Sequence, residues 1–316
     1  MKTLKHDSVC RAARPAPRHR RALLRRVARG LGLAALVAGV APRAARGADA
    51  PYVNAQAIRE RFDRITEAEV EALRGKKILF ASRSFGLNLM NGFRRLEQEN
   101  PKLKFPGTYA RYDVFRAGGD LSAIPADAFE KSNFVHFLCT YWPHGKRVEE
   151  TNTLMRQAPH NFGRQVDAVV IFFHTARPED AMAYGDAMDA LRRDFPNARV
   201  IYVTSGFSGP KFAENNGRSA AFGEAIRARY RGKAPLYDLG AILSDDFRVG
   251  NVFAPEYSVD PAELHPSAPA GELLMAKGFL LTLVEAFRQP DPPTHDGASN
   301  PATPTPRLQR PPRRQP

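Results

Sequence analysis

The sequence predicts a mainly parallel β-sheet covered by helices on both faces, on three observations. Short apolar runs rich in β-branched and aromatic residues alternate with longer stretches of helical spacing. The clearest run, Asp167 to Phe173 (DAVVIFF), is continuously apolar after its first residue, as a strand buried on both faces must be. The stretch behind it, Pro178 to Phe195, opens like a helix, with a proline at an early position and Glu179 and Asp180 in the first turn.

In chain order, Lys77 to Ala81 (KILFA) reads as the first buried strand. Leu87 to Leu96 follows as a helix with Leu89, Met90, Phe93 and Leu96 at helical spacing. Residues 105–160 are less regular and hold one further strand, at Tyr112–Phe115 or at Val135–Leu138, with a long irregular insertion. The 167–173 strand and the 178–195 helix come next, then a strand at Arg199–Thr204. A helix at Asn216–Tyr230 has Phe222, Ile226 and Tyr230 on one face. A short strand at Ala234–Leu239 and a final helix at Gly271–Phe287 complete the body. Such alternation implies right-handed crossovers. In sheets of this kind ligands sit beyond the carboxyl ends of the strands. The segments that matter for function are therefore 82–88, 174–177, 205–210 and 257–267.

The 316 residues carry 47 Lys and Arg against 33 Asp and Glu, a formal charge of +14. A net charge of this size invites a nucleic-acid reading, but its distribution argues otherwise. Residues 1–50 contribute +10 and residues 289–316 contribute +2. The 51–288 body holds 31 basic and 29 acidic residues. A phosphate-binding face needs a local basic excess, so a nucleic-acid partner is not expected. Residues 1–50 have the grammar of an export signal: a basic stretch, an apolar run from Leu31 to Ala41, then small residues to Ala50. The apolar run is too short for a stable membrane span. His19 to Arg25 (HRRALLR) resembles a twin-arginine export signal, with an arginine-rich general secretory signal as the alternative. Export to the periplasm or the medium is the expectation. Residues 289–316 hold nine prolines in 28 positions and almost no large apolar residue, the composition of a disordered tail.

Cysteine and histidine usage excludes other chemistries. Cys10 lies in the leader, which leaves Cys139 as a lone thiol and no disulfide framework. His136, His144 and His160 are scattered and no HExxH pattern occurs, so neither a metal nor another cofactor is expected. Gly206 and Gly209 lack a Gly-x-Gly-x-x-Gly context. Tyr141 and Trp142 are candidates to line a sugar-binding groove, with packing as the alternative.

The first strand ends in Ser82-Arg83-Ser84-Phe85-Gly86-Leu87-Asn88. A serine at a strand-to-helix turn presents its hydroxyl near the positive end of the helix. The alternative role of Ser84 is a helix N-cap. Far downstream, His265 stands in Tyr257–Gly271 (YSVDPAELHPSAPAG), just before the last helix, placed to take the proton that a serine nucleophile must lose.

These segments resemble the SGNH, or GDSL-type, hydrolase family, in a divergent bacterial branch. Ser84-Phe85-Gly86-Leu87-Asn88 is similar to the family's first block, and His265-Pro266-Ser267 with Gly271 to its last. The 216–239 segment between them resembles its late helix and strand. The likeness spans roughly residues 75–288. It implies a three-layer α/β/α fold of SGNH/flavodoxin-like kind and a serine esterase or acetylesterase. Ser84 is then the nucleophile, His265 the general base and Asp260 the candidate for the acid, with Glu263 standing two residues before the histidine. The Ser84 N–H is an oxyanion donor, with Gly118, Gly119 and His174 as further candidates. Arg83 and Asn88 are candidates to bind substrate. The sequence departs from the family at three places: Arg83 replaces the usual Asp before the serine, Asp260 is five residues before His265 instead of three, and His174-Thr175-Ala176-Arg177 replaces the Gly-x-Asn-Asp block. Two functions follow: hydrolysis of an ester, such as an O-acetyl group on an envelope or extracellular glycan, or binding of envelope polysaccharide by a domain that has lost its chemistry.

Overall fold

The structure is a computed structural model that describes residues 49–140, 145–173, 180–260 and 262–290. The segment expected to be an export signal (through residue 48), Tyr141, Trp142, His174 and the segment from residue 291 expected to be a tail lie outside them. The elements are β1 (Tyr52–Val53), α1 (Ala55–Arg61), α2 (Glu67–Arg74), β2 (Ile78–Ser82), α3 (Ser84–Glu99), β3 (Tyr109–Tyr112), α4 (Ala128–Lys131), β4 (Phe134–Leu138), α5 (Gly145–Arg156), β5 (Ala168–Ile171), α6 (Asp180–Asp194), β6 (Arg199–Val203), α7 (Ala213–Tyr230), β7 (Leu236–Tyr237), α8 (Leu239–Leu243) and α9 (Pro269–Arg288). The seven strands form one sheet in the order β1-β7-β6-β5-β2-β4-β3. Every neighbouring pair is parallel.

Both readings of the 105–160 region hold a strand: β4 covers Val135–Leu138, and β3 reaches only Tyr112 from the other range. The 167–173 run is shorter as a strand than its apolarity suggests. Phe172 and Phe173 lie past the end of β5 yet are buried, because helices cover both faces there.

Alternation along the strands builds two cores. On β2, Ile78 and Phe80 face a cluster with Leu89 and Phe93 of α3 and Met275, Phe279 and Leu283 of α9. Leu79 and Ala81 face the opposite cluster, with Leu154 of α5, Tyr184 and Met188 of α6 and Phe222 of α7. This is the period-two pattern of a strand buried on both sides, and it makes the domain a three-layer α/β/α sandwich.

The strand order also says where a ligand crevice is to be expected. From β2 the chain passes to β3 and β4 on one side, then returns to β5 on the other. β2 is therefore where the winding reverses, and a crevice opens at the carboxyl end of such a strand. Ser84 is two residues past that end. Among the described residues no helix is long and apolar enough to cross a membrane.

Candidate active site

Ser84 is the first residue of α3, not its cap. Arg83 holds the N-cap position and makes no side-chain capping bond. The Ser84 hydroxyl is turned instead toward His265, whose Nε2 lies 2.7 Å from its Oγ across 181 residues of chain. The arrangement follows from local structure. The polypeptide leaves β2, turns sharply at Arg83, and starts a 16-residue helix whose positive end lies beneath the hydroxyl.

Gly86 permits the turn. A Cβ there would lie 1.8 Å from the Oγ of Ser82 and 2.5 Å from its Cβ. The glycine of the Ser-Phe-Gly-Leu-Asn motif is thus required by packing under the first turn of α3.

His265 is half-buried and its ring packs on that of Phe85, centroids 5.4 Å apart. Its loop is laced to itself and to its neighbours. The Ser267 N–H donates to the His265 carbonyl (2.9 Å), and the Gly209 N–H donates to the Glu263 carbonyl (3.1 Å). Gly209 is held in turn by the buried Asn216, whose side chain bonds the Ser208 N–H and carbonyl at 2.8 and 2.9 Å and the Gly209 carbonyl at 3.3 Å. The Ser258 hydroxyl lies within reach of the Asp260 carbonyl, the Glu263 carboxylate and the His265 carbonyl. Burial holds the His265 imidazole below the ordinary histidine value, and the Glu263 carboxylate opposes that shift. A neutral imidazole facing a serine hydroxyl is the ground state of a general base.

The remaining sequence candidates are placed as follows. Asp260 is exposed, and its Oδ1 accepts the Ala262 N–H at 2.8 Å. The carboxylate whose charge acts on His265 is Glu263, held by Ser258 at 2.8 Å and by Ser267. The N–H groups of Gly118 and Gly119 are taken up inside their own turn, donating to Phe115 O (3.0 Å) and Val114 O (2.9 Å). Asn88 points its amide at Glu272 of α9 (3.0 Å), a carboxylate that also accepts from Asn91 (2.8 Å) and Arg95 (2.8 Å). Asn88, a candidate to bind substrate, thus joins two helices. Arg83 donates to the Cys139 carbonyl (2.8 Å), and its guanidinium lies over the half-exposed Phe115 ring at 3.9 Å. That pair stands on the β4 side of Ser84.

Sequence reasoning passed over a second polar cluster directly beneath the turn. Ser82 Oγ is 2.5 Å from His136 Nε2, and His136 Nδ1 is 2.9 Å from the Tyr109 hydroxyl. The available signal was a histidine inside the otherwise apolar run of β4, since a buried polar group needs a partner.

No family model and no curated protein matches the chain. Among solved structures it is similar to the C-terminal catalytic domain of peptidoglycan O-acetyltransferase A from Streptococcus pneumoniae, solved with a methylsulfonyl adduct. The identity is 14% and the TM-score 0.40, over 68% of this chain and 97% of that one. It is also similar to a Streptococcus pneumoniae protein described as a platelet activating factor. Here the identity is 13% and the TM-score 0.37, over 71% of this chain and 97% of that one.

Proposed function

We propose that the chain is an exported serine hydrolase that cleaves an ester, its substrate an O-acetyl group on a cell-envelope or extracellular glycan. The observation that carries the reading is the 2.7 Å contact between Ser84 Oγ and His265 Nε2, at the carboxyl end of the strand where the sheet winding reverses. Neutral His265 accepts the Ser84 proton as Oγ attacks the ester carbonyl. The imidazolium then returns that proton to the departing alcohol, leaving an acyl-serine. Water, deprotonated by the same imidazole, attacks the acyl-serine and releases the acid and free Ser84. The Ser84 N–H, at the positive end of α3, is the donor for the anionic tetrahedral intermediate.

The test is labelling of the protein by a fluorophosphonate probe alongside turnover of 4-nitrophenyl acetate. Ser84→Ala abolishes both, and His265→Gln lowers kcat by on the order of 10³-fold or more. Equal labelling of wild type and Ser84→Ala, or no labelling of either, sinks the proposal.

A second reading, a glycan-binding domain without turnover, draws on the exposure of Asp260 and the internal bonds of Gly118 and Gly119. It requires retention of an acetylated polysaccharide by both wild type and Ser84→Ala, with no ester turnover by wild type. Turnover that depends on Ser84 and His265 excludes it.

A further inference from the structure

Two residues before Ser84 a second serine meets a second histidine. Ser82 ends β2, and His136 is the middle residue of the neighbouring β4, where it pairs in register with Phe80. Both are completely buried. The Ser82 hydroxyl therefore meets no substrate, and a second nucleophile is excluded by burial. The cluster is joined at both ends: to the Tyr109 hydroxyl on the edge strand β3, and to the Arg83 carbonyl oxygen, 3.1 Å from Ser82 Oγ.

One assignment of the protons satisfies all three contacts. A carbonyl oxygen only accepts, so the Ser82 hydroxyl donates to Arg83 O. Ser82 Oγ then accepts from His136 Nε2–H, which leaves Nδ1 to accept the Tyr109 O–H. Each hydrogen is used once, and the imidazole is neutral. Burial, with the charge of Arg111 in second place, pushes the His136 value down to about 3, while burial pushes Tyr109 up to about 12. Both groups keep the stated forms across the working range of an enzyme.

The Arg83 carbonyl shares a peptide plane with the Ser84 N–H. In a trans peptide the two point in opposite directions, and the Arg83–Ser84 bond is trans. Three donors hold the carbonyl inward: Ser82 Oγ, the Gly86 N–H (2.9 Å) and the Leu87 N–H (3.4 Å). The Ser84 N–H is thereby aimed outward, past the start of the helix. We propose that Tyr109, His136 and Ser82 form a positioning relay that fixes the Arg83–Ser84 peptide and so sets the Ser84 N–H as the oxyanion donor. The relay rests on the hydrolase reading given above.

The test compares full-length wild type with Ser82→Ala, His136→Leu, His136→Gln and Tyr109→Phe, using 4-nitrophenyl acetate and thermal unfolding. Loss of one aimed oxyanion donor lowers kcat by about 10²-fold. Ser82→Ala and His136→Leu are expected to approach that loss, with KM within about twofold of wild type because the ground-state ester is bound as before. His136→Gln retains an N–H toward Ser82 and recovers about tenfold of the loss in His136→Leu. Tyr109→Phe has the smallest effect. Ser82→Ala removes a single oxygen and carries the test if His136→Leu does not fold. Wild-type kcat in Ser82→Ala overturns the relay and leaves the hydrolase reading standing. So does a loss in which kcat falls and KM rises together without recovery in His136→Gln. Absence of any Ser84-dependent turnover in wild type removes the hydrolase reading and the relay with it.

Discussion

At the scale of single residues, the proposed hydrolysis depends on keeping one imidazole neutral beside one hydroxyl. The largest influence on His265 is burial, which disfavours the imidazolium, and the Glu263 carboxylate partly offsets it. A base must be unprotonated to accept the Ser84 proton. The rate therefore falls on the acid side as His265 gains a proton, and kcat/KM rises with pH through an inflection below 6.5, the ordinary histidine value. Glu263→Gln preserves acceptors for Ser258 and Ser267 but removes the charge that favours the imidazolium. Its inflection is expected at lower pH than wild type in a pH–rate profile, and an unmoved or raised inflection contradicts the assignment. Ser84 and His265 were legible in the sequence because each sits at a junction with its own local signature: a strand-to-helix turn, and a loop before a final helix. Glu263 stood out only by lying two residues before His265, and Ser82 and Tyr109 did not stand out at all. Their contacts with His136 run between strands, and strand register is invisible in a single chain.

At the scale of elements, the site is a junction of two helices. α3 carries Ser84 at its first position, and α9 begins four residues after His265. The two pack tightly, with Phe93 and Phe279 edge to face at 6.0 Å and Glu272 of α9 accepting from Asn88, Asn91 and Arg95 of α3. They come close at Gly92, where a Cβ would lie 2.0 Å from the Glu272 carbonyl oxygen and 2.6 Å from its carbon. Backbone cannot step aside as a flexible side chain does. Gly92→Ala is therefore expected to destabilise the fold by about 2–3 kcal/mol, seen as a lower denaturant midpoint. It is also expected to lower kcat by widening the distance between Ser84 and His265. An unchanged midpoint rejects this account of the helix pair. The spacing of Leu89, Met90, Phe93 and Leu96 made α3 readable, and the apolar content of residues 271–287 did the same for α9. The short edge strand β1, two residues long, offers too few positions for any periodicity to show. It is held by its parallel pairing to β7 and by the Tyr52 hydroxyl donating to Asp238 at 2.8 Å.

At the scale of the whole molecule, the parallel α/β class was legible because burial on both faces leaves continuous apolar runs, whereas the strand order was not, since no local pattern says on which side of β2 the chain returns. Charge is the other whole-molecule property. The formal +14 divides into +10 in residues 1–50, +2 in residues 289–316 and +2 in the body. Much of the body's charge is paired locally, as in Arg229 with Asp186 and Asp189, Arg61 with Glu285 and Arg227 with the buried Asp238. A polyanion is bound through cations that neutralise its charges and release counterions, with affinity falling steeply as salt rises. If the ends alone supply those cations, the full 316-residue chain is retained on heparin at low salt and released as salt increases. A chain of residues 49–290 then passes through unretained. That shorter chain keeps the contacts at the fold's margins: Ala50 N–H to Gly232 O (3.3 Å), Gln289 Nε2 to Asp49 O (3.3 Å) and Arg199 to Gln289 O (2.9 Å). Its unfolding temperature should match that of the full chain, so loss of retention cannot be assigned to loss of fold. Strong, salt-sensitive retention of residues 49–290 would instead place a polyanion-binding face on the body and reopen the nucleic-acid reading that its near-neutral charge argues against.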